Sequence, residues 1–171
     1  TSHITGIGKV VVPAGAIITF DQARALLPEA PLRCANTALE QQMIAAIDAA
    51  KNGDEIIVAD GLYRGAGNKN LDFNGKSITL RSAARAEACI IDCDYNGRGF
   101  SFHSGETEGA IIDGFTIANG RISSKSVPGG PFGAGIHINS CNPVIKNSVF
   151  LNNMIEVAGA RGGGGGTSAS S

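Results

Sequence analysis

The sequence contains no tryptophan, two tyrosines and seven phenylalanines in 171 residues, too few rings for a flat aromatic platform on which sugars stack. Charge of one sign is lacking too. Fourteen Lys and Arg against fifteen Asp and Glu leave a formal net charge of −1, whereas a sequence-independent grip on nucleic acid or anionic lipid needs a basic surface. The longest apolar stretch, residues 10–20, is broken by Pro13 and Gly15 and falls short of the ~20 residues that span a bilayer. The four cysteines, Cys34, Cys89, Cys93 and Cys141, are too sparse for a disulfide scaffold and lack paired C-x-x-C zinc spacing. One or two disulfides in an oxidising compartment and buried thiols both fit. Neither Met nor a signal peptide opens the chain at Thr1, as expected of a processed form or an excised piece.

Glycine is plentiful instead: 24 of 171 residues, about twice the ordinary share of roughly 7%. No Gly-x-y period accompanies it, which excludes a collagen triple helix. With 43% hydrophobic and 17% charged residues, a packed core is affordable, and the length suits one domain.

Short apolar runs in a glycine-rich chain direct attention to repeats. Residues 72–82 and 94–104 match at an offset of 22, from Asp72-Phe73-Asn74-Gly75 and Asp94-Tyr95-Asn96-Gly97 onward. Each leads into strict alternation, with Ile78/Leu80 and Phe100/Phe102 as the inward pairs, and Ile56/Val58 and Ile136/Ile138 extend the series. A second strand family comprises residues 89–92, 110–113 and 143–146; a third comprises 115–119 and 148–152, 33 residues apart. The longer step locates an insertion loop at about 121–132, rich in Ser, Gly and Pro. Three short strands per turn joined by Asn-Gly corners predict an all-β solenoid: a single-stranded parallel β-helix in which each coil buries its apolar side chains on the next.

Residues 37–53 predict an amphipathic helix, with Leu39, Met43, Ile44 and Ile47 on one face and a Thr37-to-Glu40 capping box. An open solenoid end is a pairing hazard, and a helix just before the first coil is an economical cap for it. The organisation expected is thus an N-terminal extension over 1–36, a capping helix over 37–53, coils over 54–155 and a Gly/Ser-rich tail over 156–171. The extension holds one plausible strand, residues 8–12, and a short helical stretch at 21–27. The tail has linker composition, so that either the natural protein continues or the open last coil meets a partner.

The run Gly53-Asp54-Glu55-Ile56-Ile57-Val58-Ala59-Asp60-Gly61-Leu62-Tyr63, with residues 112–117 and 142–147, resembles the right-handed parallel β-helix family, the pectin-lyase-like superfamily, and in particular its secreted bacterial members. The resemblance covers about two-thirds of the chain and lies in turn and core residues, which speak for fold more than function. It implies a secreted or cell-surface protein. It also implies either a non-catalytic module that binds glycan or protein, or a polysaccharide lyase or hydrolase acting on acidic glycans. Enzymatic members usually have more coils and carry carboxylates that bind calcium beside an Arg or Lys base, or paired Asp acids; no complete motif of either type is present. A third reading is an assembly subunit that docks, or self-associates, through its open C-terminal edge.

Stacking the repeats defines the candidate site residues. Asp92, Asp113 and Lys146 form one expected column, which could hold calcium between Asp92 and Asp113 or pair an acid with a base; Arg98 is a further cationic candidate for catalysis. Thr79, Ser101 and His137 form another column, and Arg81, His103 and Asn139 its neighbour, which makes His103, His137, Arg81 and Asn139 candidate binding residues. Asp72 and Asp94 would form a stacked acid pair. Solvated strand faces and neutralised charge ladders account for the same patterns. No nucleophile elbow or phosphate loop is present.

Overall fold

A computed structural model describes residues 3–4, 10–11, 32–34, 43–123, 132–157, 160–162 and 167–170. These residues form mostly strands in parallel sheets, with one α-helix. The N-terminal strands β1 (His3–Ile4) and β2 (Val10–Val11) pair antiparallel.

The longest sheet runs in the order β13 (Val144–Lys146), β9 (Ile111–Asp113), β6 (Thr79–Ser82), β4 (Glu55–Val58), β3 (Leu32–Cys34). A second holds β14 (Val149–Leu151), β10 (Thr116–Ala118), β7 (Cys89–Asp92) and β5 (Gly61–Tyr63). A third holds β17 (Thr167–Ser170), β12 (Ile136–Asn139) and β8 (Phe100–Phe102), with Leu71 bridged to Phe100 beyond β8. All pairings within these three sheets are parallel. The chain visits them in a constant order: β6, β7, β8, then β9, β10, β12. A smaller sheet joins β11 (Arg121–Ser123) to β15 (Met154–Val157) in parallel and β15 to β16 (Ala160–Gly162) antiparallel.

Alternation explains which side chains point inward. Ile56, Val58, Ile78, Leu80, Phe100, Phe102 and Ile136 are buried, and Ile138 nearly so, in one continuous core cluster. Phe73 joins them, its ring edge-on to Phe102 at 5.2 Å between centroids. Each such side chain contributes about 1.5–3 kcal/mol on burial.

The register departs from a 22-residue repeat. Glu55 pairs with Thr79, Thr79 with Ile111 and Ile111 with Val144, steps of 24, 32 and 33 residues. Residues 72–82 and 94–104 are alike because each is an Asn-Gly corner followed by an alternating strand. The first copy leads into β6 and the second into β8, on different sheets. For the same reason β7 lies beside β10 and β5, while β9 lies beside β13. The 33-residue step between β10 and β14 is as expected. Within β9 the buried residue is Ile112, with Ile111 half-buried.

Corners are built by left-handed residues. Asn74, Asn119 and Asn152 have φ of 53°, 56° and 54°, a conformation that Asn tolerates better than most side chains. Beyond Asn119, a Cβ on Gly120 would sit 2.0 Å from the Ala134 carbonyl oxygen, so only glycine fits there.

The helix α1 (Met43–Ala49) ends four residues before the expected limit at 53, and residues 37–42, with the capping box, lie outside the described residues. It buries Met43, Ala46 and Ile47, the i, i+3, i+4 face of an amphipathic helix. The Asn68 side-chain oxygen accepts from Met43 N (3.0 Å), and Lys76 Nζ donates to the Ile47 and Asp48 carbonyls (2.7 and 2.9 Å). The chain leaves the helix at a turn in which Lys51 N donates to Asp54 Oδ2 and Asp54 N to the Lys51 carbonyl.

Two expected loops contain strands. The insertion begins with β11, and the segment assigned to the tail holds the end of β15 and then β16 and β17, which bond to β15 and β12. Residues 124–131 and the helical stretch at 21–27 lie outside the described residues. Cys93 and Cys141 carry free thiols.

Candidate functional site

In the longest sheet Arg81, Asp113 and Lys146 stand in register on β6, β9 and β13. Their neighbours Leu80 and Ile112 point into the core, so the three charged side chains project outward. Lys146 Nζ lies 3.4 Å from Asp113 Oδ2, and Asn147 Nδ2 donates to Asp113 Oδ1 at 2.8 Å. Arg81 Nε donates to Glu55 Oε1 at 2.6 Å. The turn from β6 toward β7 and the turn after β9 flank a groove of about 510 Å3, lined by Arg81, Ser82, Arg85, Asp113, Asn147 and Val149 among others. Gly114, at φ +79°, permits the close turn there, where a Cβ would meet Ser82 Oγ at 2.7 Å.

Charged donors and acceptors alternate along this face of the sheet. Arg81 and Lys146 offer N–H groups, Asp113 accepts and Asn147 does both. Partly exposed ion pairs of this kind are worth about 0–1 kcal/mol, so an incoming hydroxyl or carboxylate can replace one partner cheaply. Among the described residues no aromatic side chain lines the groove, so recognition there rests on hydrogen bonds and charge.

Asp92 does not belong to this column. It sits on β7, beside Ala118 of β10, and its oxygens are taken by donors: Arg64 Nη2 and Nε (2.7 and 3.0 Å), Asn119 Nδ2 (2.9 Å) and Asp94 N (3.0 Å). Burial alone would raise its carboxyl, but these hydrogen bonds hold it below its ordinary range. Asp92 therefore fastens β7 to its neighbours, and a calcium site shared with Asp113 has no geometric basis. Among the described residues no three His, Cys, Asp or Glu side chains are placed to hold a metal ion together.

The remaining candidates separate likewise. Ser101 and His137 are in register as expected, but Thr79 pairs with Glu55 and Ile111 instead. Arg81 lies on a different sheet from His103 and Asn139, because β6 is not stacked on β8. His103 Nδ1 lies 3.1 Å from Asp72 Oδ2. Asp72 is not stacked on Asp94, which lies 3.6 Å from Arg64 instead. Arg98 is buried, and its charge and that of His103 bear on His137, whose imidazole is lowered first by burial and then by these two groups.

Glu106 is the residue that sequence reasoning missed. It is 2% exposed, yet it accepts from Gly75 N (2.8 Å), Ser104 N (2.9 Å) and Cys141 Sγ (3.1 Å). Burial pushes its carboxyl up, but the hydrogen bonds outweigh it and leave it below its usual value. The facing Asp72 carboxyl is raised, chiefly by burial and also by Glu106, to which it hydrogen-bonds when protonated. Cys141 is raised as well, by burial and by its bond to Glu106, which favours the thiol over the thiolate. The only sequence signal is a Glu after Ser104-Gly105, which reads by default as an exposed turn. Arg85 and Asn147 gave no signal either; a turn and a corner carry them to the groove.

The chain matches no known protein family, no curated protein and no solved structure.

Proposed function

We propose that the parallel sheets are the faces of one right-handed parallel β-helix whose first coil is covered by α1, and that the chain is an extracellular or cell-surface module that binds glycan without cleaving it. The repeated order of visits to the three sheets supports the solenoid, and parallel crossovers are right-handed in nearly all proteins. Its resemblance to pectin-lyase-like proteins agrees. The observation that carries the binding reading is the register of Arg81, Asp113 and Lys146 beside a groove of about 510 Å3. A line of alternating donors and acceptors, spaced about 4.8 Å apart by the strands, suits the hydroxyls of an extended saccharide.

Binding rather than cleavage is favoured by the carboxyl geometry. Glycosidases hold two carboxyls about 5–9.5 Å apart around the scissile bond. In the groove Asp113 is engaged by Lys146 and Asn147, and the other lining carboxyl, Glu87, lies 3.7 Å from Arg85, whereas Asp72 and Glu106 are in mutual contact, leaving no room for a sugar ring between them.

The test is binding and product formation on a panel of acidic and neutral polysaccharides, with calcium and with chelator. Expected is retention of at least one glycan without product, weakened by Asp113→Ala and Arg85→Ala and unchanged by Asn152→Ala. Product formation, or binding indifferent to both groove variants, contradicts the reading.

The last strands favour a second role. Among the described residues β13 and β14 end their sheets, Ile145 and Phe150 are only partly buried, and Val149, Leu151 and Met154 are exposed. Assembly through this edge predicts a molar mass that rises with concentration and falls on Leu151→Lys.

A further inference from the structure

Among the described residues four charged side chains are buried: Lys69, Asp92, Arg98 and Glu106. Lys69 Nζ donates to the Cys93 carbonyl at 3.1 Å, Asp92 holds Arg64 and Asn119, and Glu106 holds Gly75, Ser104 and Cys141. Arg98 is the exception. It is 6% exposed, and among the described residues its guanidinium makes no hydrogen bond or ion pair. Its backbone is fixed, with Arg98 N donating to Asn70 Oδ1 at 2.9 Å and Asn70 N to the Arg98 carbonyl at 2.6 Å. Among the described residues nothing receives its five N–H donors, and buried charges in proteins are otherwise paired.

His137, on β12, stands beside Ser101, the residue after Arg98 is bound to the start of that strand through Gly99 N donating to the Gly135 carbonyl at 2.9 Å, and the charges of Arg98 and His103 bear on the imidazole. The exposed Phe132 ring stacks on the His137 imidazole, with centroids 6.4 Å apart and planes at 10°. Of the carboxylates in this region, Asp72 is engaged by His103 at 3.1 Å and by Asn74 N at 2.8 Å, and Glu106 by Gly75, Ser104 and Cys141.

We propose that Arg98 and His137, with Ser101 and His103 at the margin, form a binding site for an oxyanion: a sulfate, phosphate or carboxylate group. The guanidinium supplies a planar fork that takes two oxygens of such a group. The His137 imidazole, an outward neighbour of Ser101, donates once it is protonated. This site lies on the β8–β12 sheet, away from the groove beside Asp113, and does not depend on that groove binding glycan.

The test follows the His137 and His103 imidazoles by NMR through a pH titration of the whole chain, with inorganic sulfate, inorganic phosphate or acetate against chloride at matched ionic strength. An anion beside His137 stabilises its protonated form. Its titration midpoint should therefore rise, by about one pH unit for a charge within hydrogen-bonding reach, in the wild type and not in Arg98→Gln. Sulfate should also raise the unfolding temperature of the wild type more than that of His137→Gln, a comparison that stands even if Arg98→Gln does not fold. A sulfated or uronic-acid oligosaccharide forms a further arm. Response to inorganic anions identifies a free ion as sufficient ligand, and response to the oligosaccharide alone identifies an acidic group carried on a glycan. If no arm moves the His137 midpoint beyond the chloride control, the proposal is overturned.

Discussion

Replacing Glu106 by Ala removes a single acceptor that three donors share: Gly75 N, Ser104 N and Cys141 Sγ. These donors come from chain segments following Asn74, β8 and β12, so the carboxylate ties together three successive levels of the structure. Leaving a buried donor without a partner costs about 1–3 kcal/mol. Gly75 and Ser104 belong to exposed residues, so water can reach the vacated site, and the lower half of that range applies to each N–H. With the weaker thiol contact added, Glu106→Ala should cost about 2–4 kcal/mol. Glu106→Gln keeps the shape and one acceptor but turns an amide N–H₂ toward a donor, for about 1–2 kcal/mol. Urea unfolding followed by circular dichroism reads both, with Cys141→Ala as a comparison expected to cost least. If Glu106→Ala lies within ~0.5 kcal/mol of the wild type, the usual scatter of surface substitutions, the carboxylate is not the tie described.

Ile112→Asp buries a charge in the core and should abolish cooperative unfolding, whereas Ile111→Asp, at a half-buried position of the same strand, should remain folded; the reverse order would place the β9 register one residue out. Glu106 and Asp92 have folded values below their ordinary 4.5 and 3.8, so their stabilisation is present above those values and is lost as pH falls through the folded ones. Asp72 is raised above 3.8, so its contribution is present below 3.8 and fades as pH rises through its folded value. Stability should therefore fall steeply only below about pH 4.5, Glu106→Gln should flatten that limb, and an unchanged acid limb in Glu106→Gln would refute the assignment. Gly120→Ala drives a methyl group into the Ala134 carbonyl and should lower the unfolding temperature by several degrees, as about 1–3 kcal/mol of strain does in a domain of this size; an unchanged melt would mean that the corner is not so close.

The inward faces were legible because alternation survives any register: Ile56/Val58, Ile78/Leu80, Phe100/Phe102 and Ile136/Ile138 all point to the core wherever their strands are stacked. Pairings between strands with similar connections were legible as well, such as Phe150 on Ile117 and Lys146 on Asp113. What failed was stacking across unequal connections. The same corner-and-strand pattern serves two faces, so an internal match between residues 72–82 and 94–104 carried no information on which face each occupies and set Arg81 on His103, and the match between residues 89–92 and 110–113 set Asp92 on Asp113 in the same way. Glu106 was hidden for another reason. A carboxylate buried by backbone donors depends on where turns from distant parts of the chain converge, and local pattern holds no trace of that.

The measurement that bears most directly on the proposed role is NMR mapping of an oligosaccharide from the best-binding glycan of the panel onto the assigned amides. Shifts gathered at Arg81, Ser82, Arg85, Asp113, Gly114 and Asn147, with the saccharide recovered intact, are the result predicted. Shifts confined to other surfaces, or a saccharide recovered in pieces, would contradict a glycan-holding groove on this face.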